Sequence, residues 1–185
     1  MTKELLYRLS LLTLFGFSIL GILIIYNFQN ISIQEALLGG EHWFLQLSYG
    51  LTYGFIAAFA ALAIIRTQLL APITSFYSSL FSSLNLTVED VFFYSFCAGV
   101  GEEVFFRAAL QPFFGIWLTA LIFVAIHGYL DPRNWRMMLY GTLLVIITAG
   151  MGYLFQTVGL LAAASSHFAF DLAMFGYLIF YRKAE

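Results

Sequence analysis

The sequence predicts an all-α fold: a polytopic membrane bundle of about six transmembrane helices with one amphipathic connector helix. Composition points there first, because 62% of the 185 residues are hydrophobic and only 10% are charged, against about 25% charged in soluble domains. Mean hydropathy is +0.89. Long uncharged runs recur along the chain, close to the roughly 20 residues that cross a hydrocarbon core at about 1.5 Å per residue. The basic residues fall on alternate connections, as they do when one side of a bundle faces the cytoplasm.

The first span is expected over Leu9 to Tyr26, after Lys3 and Arg8. Its length, and the lack of an A-x-A-like site in NFQNISIQEALLGG, argue for a retained helix rather than a signal peptide. The second span runs from Trp43, an interfacial belt residue, to Ile65. Between Thr67 and Val88 the apolar residues Leu70, Ile73, Phe76, Tyr77, Leu80, Phe81 and Leu84 recur at helical spacing, with Ser and Thr between them. This hydroxyl-faced helix is the connector. Lacking the Lys and Arg of a surface-lying helix, it either joins spans at the interface or packs on the bundle and roofs a wet cavity.

Thr87-Val88-Glu89-Asp90 reads as a capping box opening the third span, Val91 to Leu110. Pro112 is expected to end or kink it, Phe113 to Tyr129 forms the fourth, and Asp131-Pro132-Arg133-Asn134 is a turn. Met137 to Phe155 and Leu160 to Tyr181 complete the set. All of 1–185 reads as a single integral membrane domain, with N-terminal spans and connector in 1–88 and a catalytic core in 89–182. Lys3, Arg8, Arg66, Arg133, Arg136, Arg182 and Lys183 then share one side, and Glu35 and Glu41 the other. Both termini are expected in the cytoplasm of a bacterial-type plasma membrane. Eight Lys and Arg argue against nucleic acid as a partner, and the single Cys97 excludes a disulfide framework.

Charge inside the apolar runs needs a reason. Glu102, Glu103, Arg107 and Asp171 would together cost on the order of 10 kcal/mol to insert, comparable to the net stability of a domain. Glu103 and Arg107 are i,i+4 neighbours in the order that suits an ion pair. Glu102, about 100° around the helix, is left free for general acid or base work. His127 ends the fourth apolar run, and His167 shares a face with Asp171 in the sixth. Gly99, Gly101 and the Ala162-to-Ser166 run supply small side chains that let helices approach closely. Counted from the cytoplasmic ends, Glu102 and Asp171 lie about 15 Å deep, His167 about 20 Å and His127 about 6 Å, so convergence requires tilt or shifted boundaries.

In this order, Glu102-Glu103-x-x-x-Arg107, Phe123-x-x-x-His127 and His167-x-x-x-Asp171 resemble the CAAX protease and bacteriocin-processing (Abi, CPBP) family of intramembrane endopeptidases, over about Phe92 to Tyr181. The resemblance implies hydrolysis of a peptide bond in a membrane-anchored, amphipathic or lipidated substrate within membrane lipid. It implies that Glu102 and His127 activate water, that His167 and Asp171 stabilise the oxyanion, and that Glu103 with Arg107 holds the site. No cofactor is expected. Zinc bound by Glu102, His127, His167 and Asp171 is the alternative, weakened by the absence of an H-E-x-x-H helix. Asp171 departs from the Asn of the eukaryotic branch: it either donates as the protonated acid, accepts from His167, or binds metal. From other classes, a non-catalytic membrane partner such as an immunity protein could keep the motif for structure. A proton-coupled transporter lacks support from any inverted repeat.

Overall fold

A computed structural model describes residues 2–181, and its regular elements are all helices. They are α1 (Lys3–Phe28), α2 (Ile33–Leu38), α3 (Trp43–Ile65), α4 (Ala71–Ser82), α5 (Val88–Ile126), α6 (Trp135–Thr157) and α7 (Leu160–Gly176), the last continued by wider turns over Tyr177–Tyr181. Of these, α1, α3, α5 and α6 are long and apolar enough to cross a membrane. Arg182 and Lys183 lie outside the described residues.

Several helix starts follow from local chemistry. In the Thr87–Asp90 capping box, the Asp90 carboxylate accepts from the Thr87 N–H at 2.7 Å and Thr87 Oγ1 accepts from the Asp90 N–H at 3.4 Å. Asn134 opens α6 by accepting from the Met137 N–H at 3.2 Å.

α5 corrects one expectation. At 39 residues it would extend about 58 Å if straight, nearly twice a hydrocarbon core. It instead reverses at Gly115, where φ is 72° and ψ 173°. Its two arms lie together: the Phe106 and Phe123 ring centroids are 4.9 Å apart. Pro112 does not make the break, because it sits in the first turn of the helical segment that follows the wide turns of Val104–Leu110. There its missing N–H costs no helical bond. A left-handed φ is what reverses the chain, and glycine adopts it without a Cβ penalty.

Hydrogen bonds tie the ends of these helices into two faces. On one, the Gln29 amide donates to the Ala108 and Ala109 carbonyls at 2.8 and 3.0 Å, satisfying acceptors among the wide turns. There too the Gln46 amide donates to the Glu41 carbonyl at 2.7 Å, and its oxygen accepts from the Leu161 N–H at 3.0 Å. Buried Gln46 thus serves an orphan donor at the start of α7. The opposite face carries Lys3, ion-paired with Asp90, together with Arg66 and the Asp131–Arg136 turn.

α4 packs on the bundle at this second face. Its Tyr77 ring meets Tyr129 at 6.0 Å, Phe81 meets Phe175 at 5.3 Å, and the buried Thr74 hydroxyl donates to the Ile65 carbonyl at 2.9 Å. Ser75, Ser79 and Ser83 remain exposed. Most of the apolar stripe therefore turns inward, but Phe76 is 60% exposed.

Candidate active site

Two glycines let three helices meet at the acidic pair. A methyl group on Gly101 would collide with the Thr13 carbonyl of α1, and one on Gly99 would come 2.9 Å from the Ala164 carbonyl of α7. Small residues thus bring the α5 backbone against both neighbours. Immediately beyond them, Glu102 and Glu103 diverge around the helix.

Glu103 and Arg107 are fully buried, and Arg107 Nε donates to Glu103 Oε2 at 2.8 Å. The expected ion pair is present. Glu103 has a second bond that the sequence does not disclose: its Oε1 accepts from His167 Nδ1 at 2.9 Å. Because Glu103 and His167 are 64 positions apart, no helical spacing points to this bond.

His127 owes its position to the end of α5. The Gly128 N–H donates to the Ala125 carbonyl at 3.0 Å and the Tyr129 N–H to the Val124 carbonyl at 3.3 Å, with Gly128 at φ 78°. This is a Schellman closure, with His127 as the cap residue. His127 Nδ1 lies 2.7 Å from the Phe123 carbonyl, which can only accept, so Nδ1 carries the proton. In the neutral ring Nε2 is then an acceptor, and it faces Glu102 Oε2 at 3.6 Å.

His167 Nε2 approaches the same oxygen at 4.0 Å and Asp171 Oδ2 at 3.6 Å. All four residues expected at the site, Glu102, His127, His167 and Asp171, thus converge despite their unequal estimated depths. The doubled α5 resolves the discrepancy by returning His127 beside Glu102. Phe123 was legible only as part of a motif, yet its ring forms a floor. It stacks on His127 at 4.5 Å, meets His167 edge-on at 5.7 Å and lies 5.6 Å from the Arg107 guanidinium.

The cluster lies on the wall of a cavity of about 310 Å³. Its lining comes from the halves of α1, α5, α6 and α7 nearest the Lys3–Asp90 face, with Tyr77 and Phe81 of α4 above. Apart from the acids and imidazoles the wall is mainly apolar, so dipoles aimed into it are weakly screened. Among the described residues, no group of three His, Cys, Asp or Glu side chains is arranged to hold a metal ion. Both Nδ1 atoms are engaged by protein acceptors, leaving only the two Nε2 atoms toward the cavity.

The sequence comparison covers the elements that carry these groups. Residues 84–173 match the family model described as type II CAAX prenyl endopeptidase Rce1-like. Over these residues the chain is similar to the CAAX protease family. The match starts just before the capping box of α5 and ends two residues past Asp171, so it contains every CAAX protease motif residue discussed above. Curated proteins and solved structures give no match.

Proposed function

We propose that this protein is an intramembrane endopeptidase that hydrolyses a membrane-anchored, amphipathic or lipidated peptide with water activated by Glu102 and His127. The observation that carries the proposal is the 3.6 Å approach of Glu102 Oε2 to His127 Nε2 on the cavity wall. Two acceptors facing each other at that separation suit a water that gives a proton to each and turns its lone pairs to the substrate.

In this scheme the water oxygen attacks the scissile carbonyl carbon while Glu102 takes its proton. Asp171 as the protonated acid and His167 as the imidazolium, whose Nε2–H faces the cavity while Nδ1–H stays on Glu103, donate to the oxygen that becomes negative. The proton held by Glu102 passes to the amide nitrogen and the C–N bond breaks; His127 Nε2 takes the second proton of the water from the tetrahedral intermediate and hands it to the departing amine, so that an ammonium and a carboxylate leave. Glu103 holds Nδ1 of His167, so that Nε2 stays aimed at the cavity. Arg107 neutralises Glu103 and does not contact the substrate. No metal takes part in this scheme.

We further propose six passages through the lipid: α1, α3, the two arms of α5, α6 and α7 with its extension. Lys3, Arg66, Arg133 and Arg136 then lie on the cytoplasmic side by the positive-inside rule, and the cavity opens there. Cleavage of an anchored peptide library by the purified protein in liposomes, parent beside Glu102→Gln, tests the reading. Products from the parent alone support it; equal products from both overturn it.

A further inference from the structure

The described buried polar atoms without a hydrogen-bond partner belong to Tyr94, Ser95, Arg107, Gln111, Thr119 and Arg136, and of these residues only Tyr94 lines the cavity. Tyr94 is 6% exposed. Its phenol is a strong donor withdrawn from water, a state that is unfavourable until an acceptor arrives. On this side of the cavity Leu6, Leu9, Phe81, Phe175 and Leu178 are apolar, the Ser10 hydroxyl is spent on the Leu6 carbonyl at 3.0 Å, and the charged groups that act on the phenol, Lys3 and Asp90, are paired with each other.

Tyr94, Ala98 and Glu102 stand at i, i+4 and i+8 on one face of α5, all on the cavity wall. Tyr94 is therefore about 12 Å from Glu102 along the helix, toward the Lys3–Asp90 face. Ala98 between them is small enough to let a chain lie along the wall. An extended peptide advances about 3.3 Å per residue, so a substrate with its scissile bond at Glu102 brings a main-chain carbonyl three or four residues away to Tyr94.

We propose that Tyr94 is a specificity-determining residue whose hydroxyl donates to a substrate main-chain carbonyl three to four residues from the scissile bond. The proposal rests on the protease reading above and adds a length requirement to it: peptides too short to reach Tyr94 on that side bind weakly.

The test uses full-length protein in liposomes and internally quenched peptides built around a cleavage site mapped by mass spectrometry. One series is trimmed from five residues to two on the N-terminal side of the scissile bond, the other on the C-terminal side. In the parent, trimming one side is expected to raise KM about threefold to tenfold with kcat nearly unchanged, the scale of one neutral hydrogen bond. Tyr94→Phe should show the higher KM for long and short peptides alike. It keeps the ring and removes an unpartnered hydroxyl, so thermal stability of the empty protein should not fall. A Tyr94→Phe protein that keeps the parent's KM and length dependence overturns the proposal while leaving the protease reading intact. No Glu102-dependent cleavage by the parent overturns both.

Discussion

His167 Nδ1 donates to Glu103 Oε1 across 2.9 Å, while the other oxygen of that carboxylate accepts from Arg107 Nε across 2.8 Å. One buried acid thereby fixes a ring on α7 and neutralises a guanidinium on its own helix. This gives the adjacent glutamates opposite expected phenotypes.

Glu103→Gln is expected to destabilise the protein by about 3–5 kcal/mol, because it leaves Arg107 buried without a countercharge. Activity should fall in the folded remainder as His167 loses its anionic partner. Glu102→Gln keeps side-chain volume at a wall position with no hydrogen bond to lose, so its unfolding should match the parent while cleavage disappears. Denaturant titration in detergent beside a cleavage assay checks both. Equal loss of stability in the two variants would contradict the division of roles.

Gly101→Ala tests the close approach of α1. The added methyl meets the Thr13 backbone rather than a side chain that can swing aside. A destabilisation of about 1–3 kcal/mol is expected, with reduced activity because Glu102 is the next residue. Gly176→Ala, whose added carbon would meet nothing within 4 Å, serves as the control and should leave both readings unchanged.

The parts of this fold that were legible in the sequence are those fixed by neighbours along the chain. The Trp43–Ile65 helix, the Thr87–Asp90 capping box and the Glu103–Arg107 pair each follow from spacings of three or four residues or a simple apolar run. What was not legible depends on where the chain reverses. Pro112 is the stronger helix breaker by composition, but its position after the wide turns makes it harmless, and within α5 it is Gly115 that takes the left-handed angle. That reversal is what sets His127 beside Glu102. The Glu103–His167 bond follows from packing across α5 and α7, and Gln46 reads as an unremarkable polar residue until Leu161 is placed against it.

Activity is expected to survive exhaustive chelation, and elemental analysis should find far less than one metal per chain. The absence of a three-donor arrangement among the described residues motivates this. One tightly held zinc per chain, lost together with activity in His127→Ala, would reverse the assignment.

Asp171 stands 3.6 Å from His167 Nε2, beyond hydrogen-bond distance. The two roles open to it have opposite consequences for Asp171→Asn. If it orients His167, the amide cannot stabilise a positive ring, and turnover should fall steeply, by analogy with carboxylate–histidine pairs in which this change costs about 10⁴. The orienting bond, however, is already made at Nδ1 by Glu103. Asp171 is thus free to donate to the oxyanion as a protonated acid, and an amide of the same size also donates. Asp171→Asn is therefore expected to stay within about tenfold of the parent, in line with the modest net worth of a hydrogen bond. A fall of more than about a hundredfold at every pH would exceed the worth of one donor bond and return Asp171 to the orienting role.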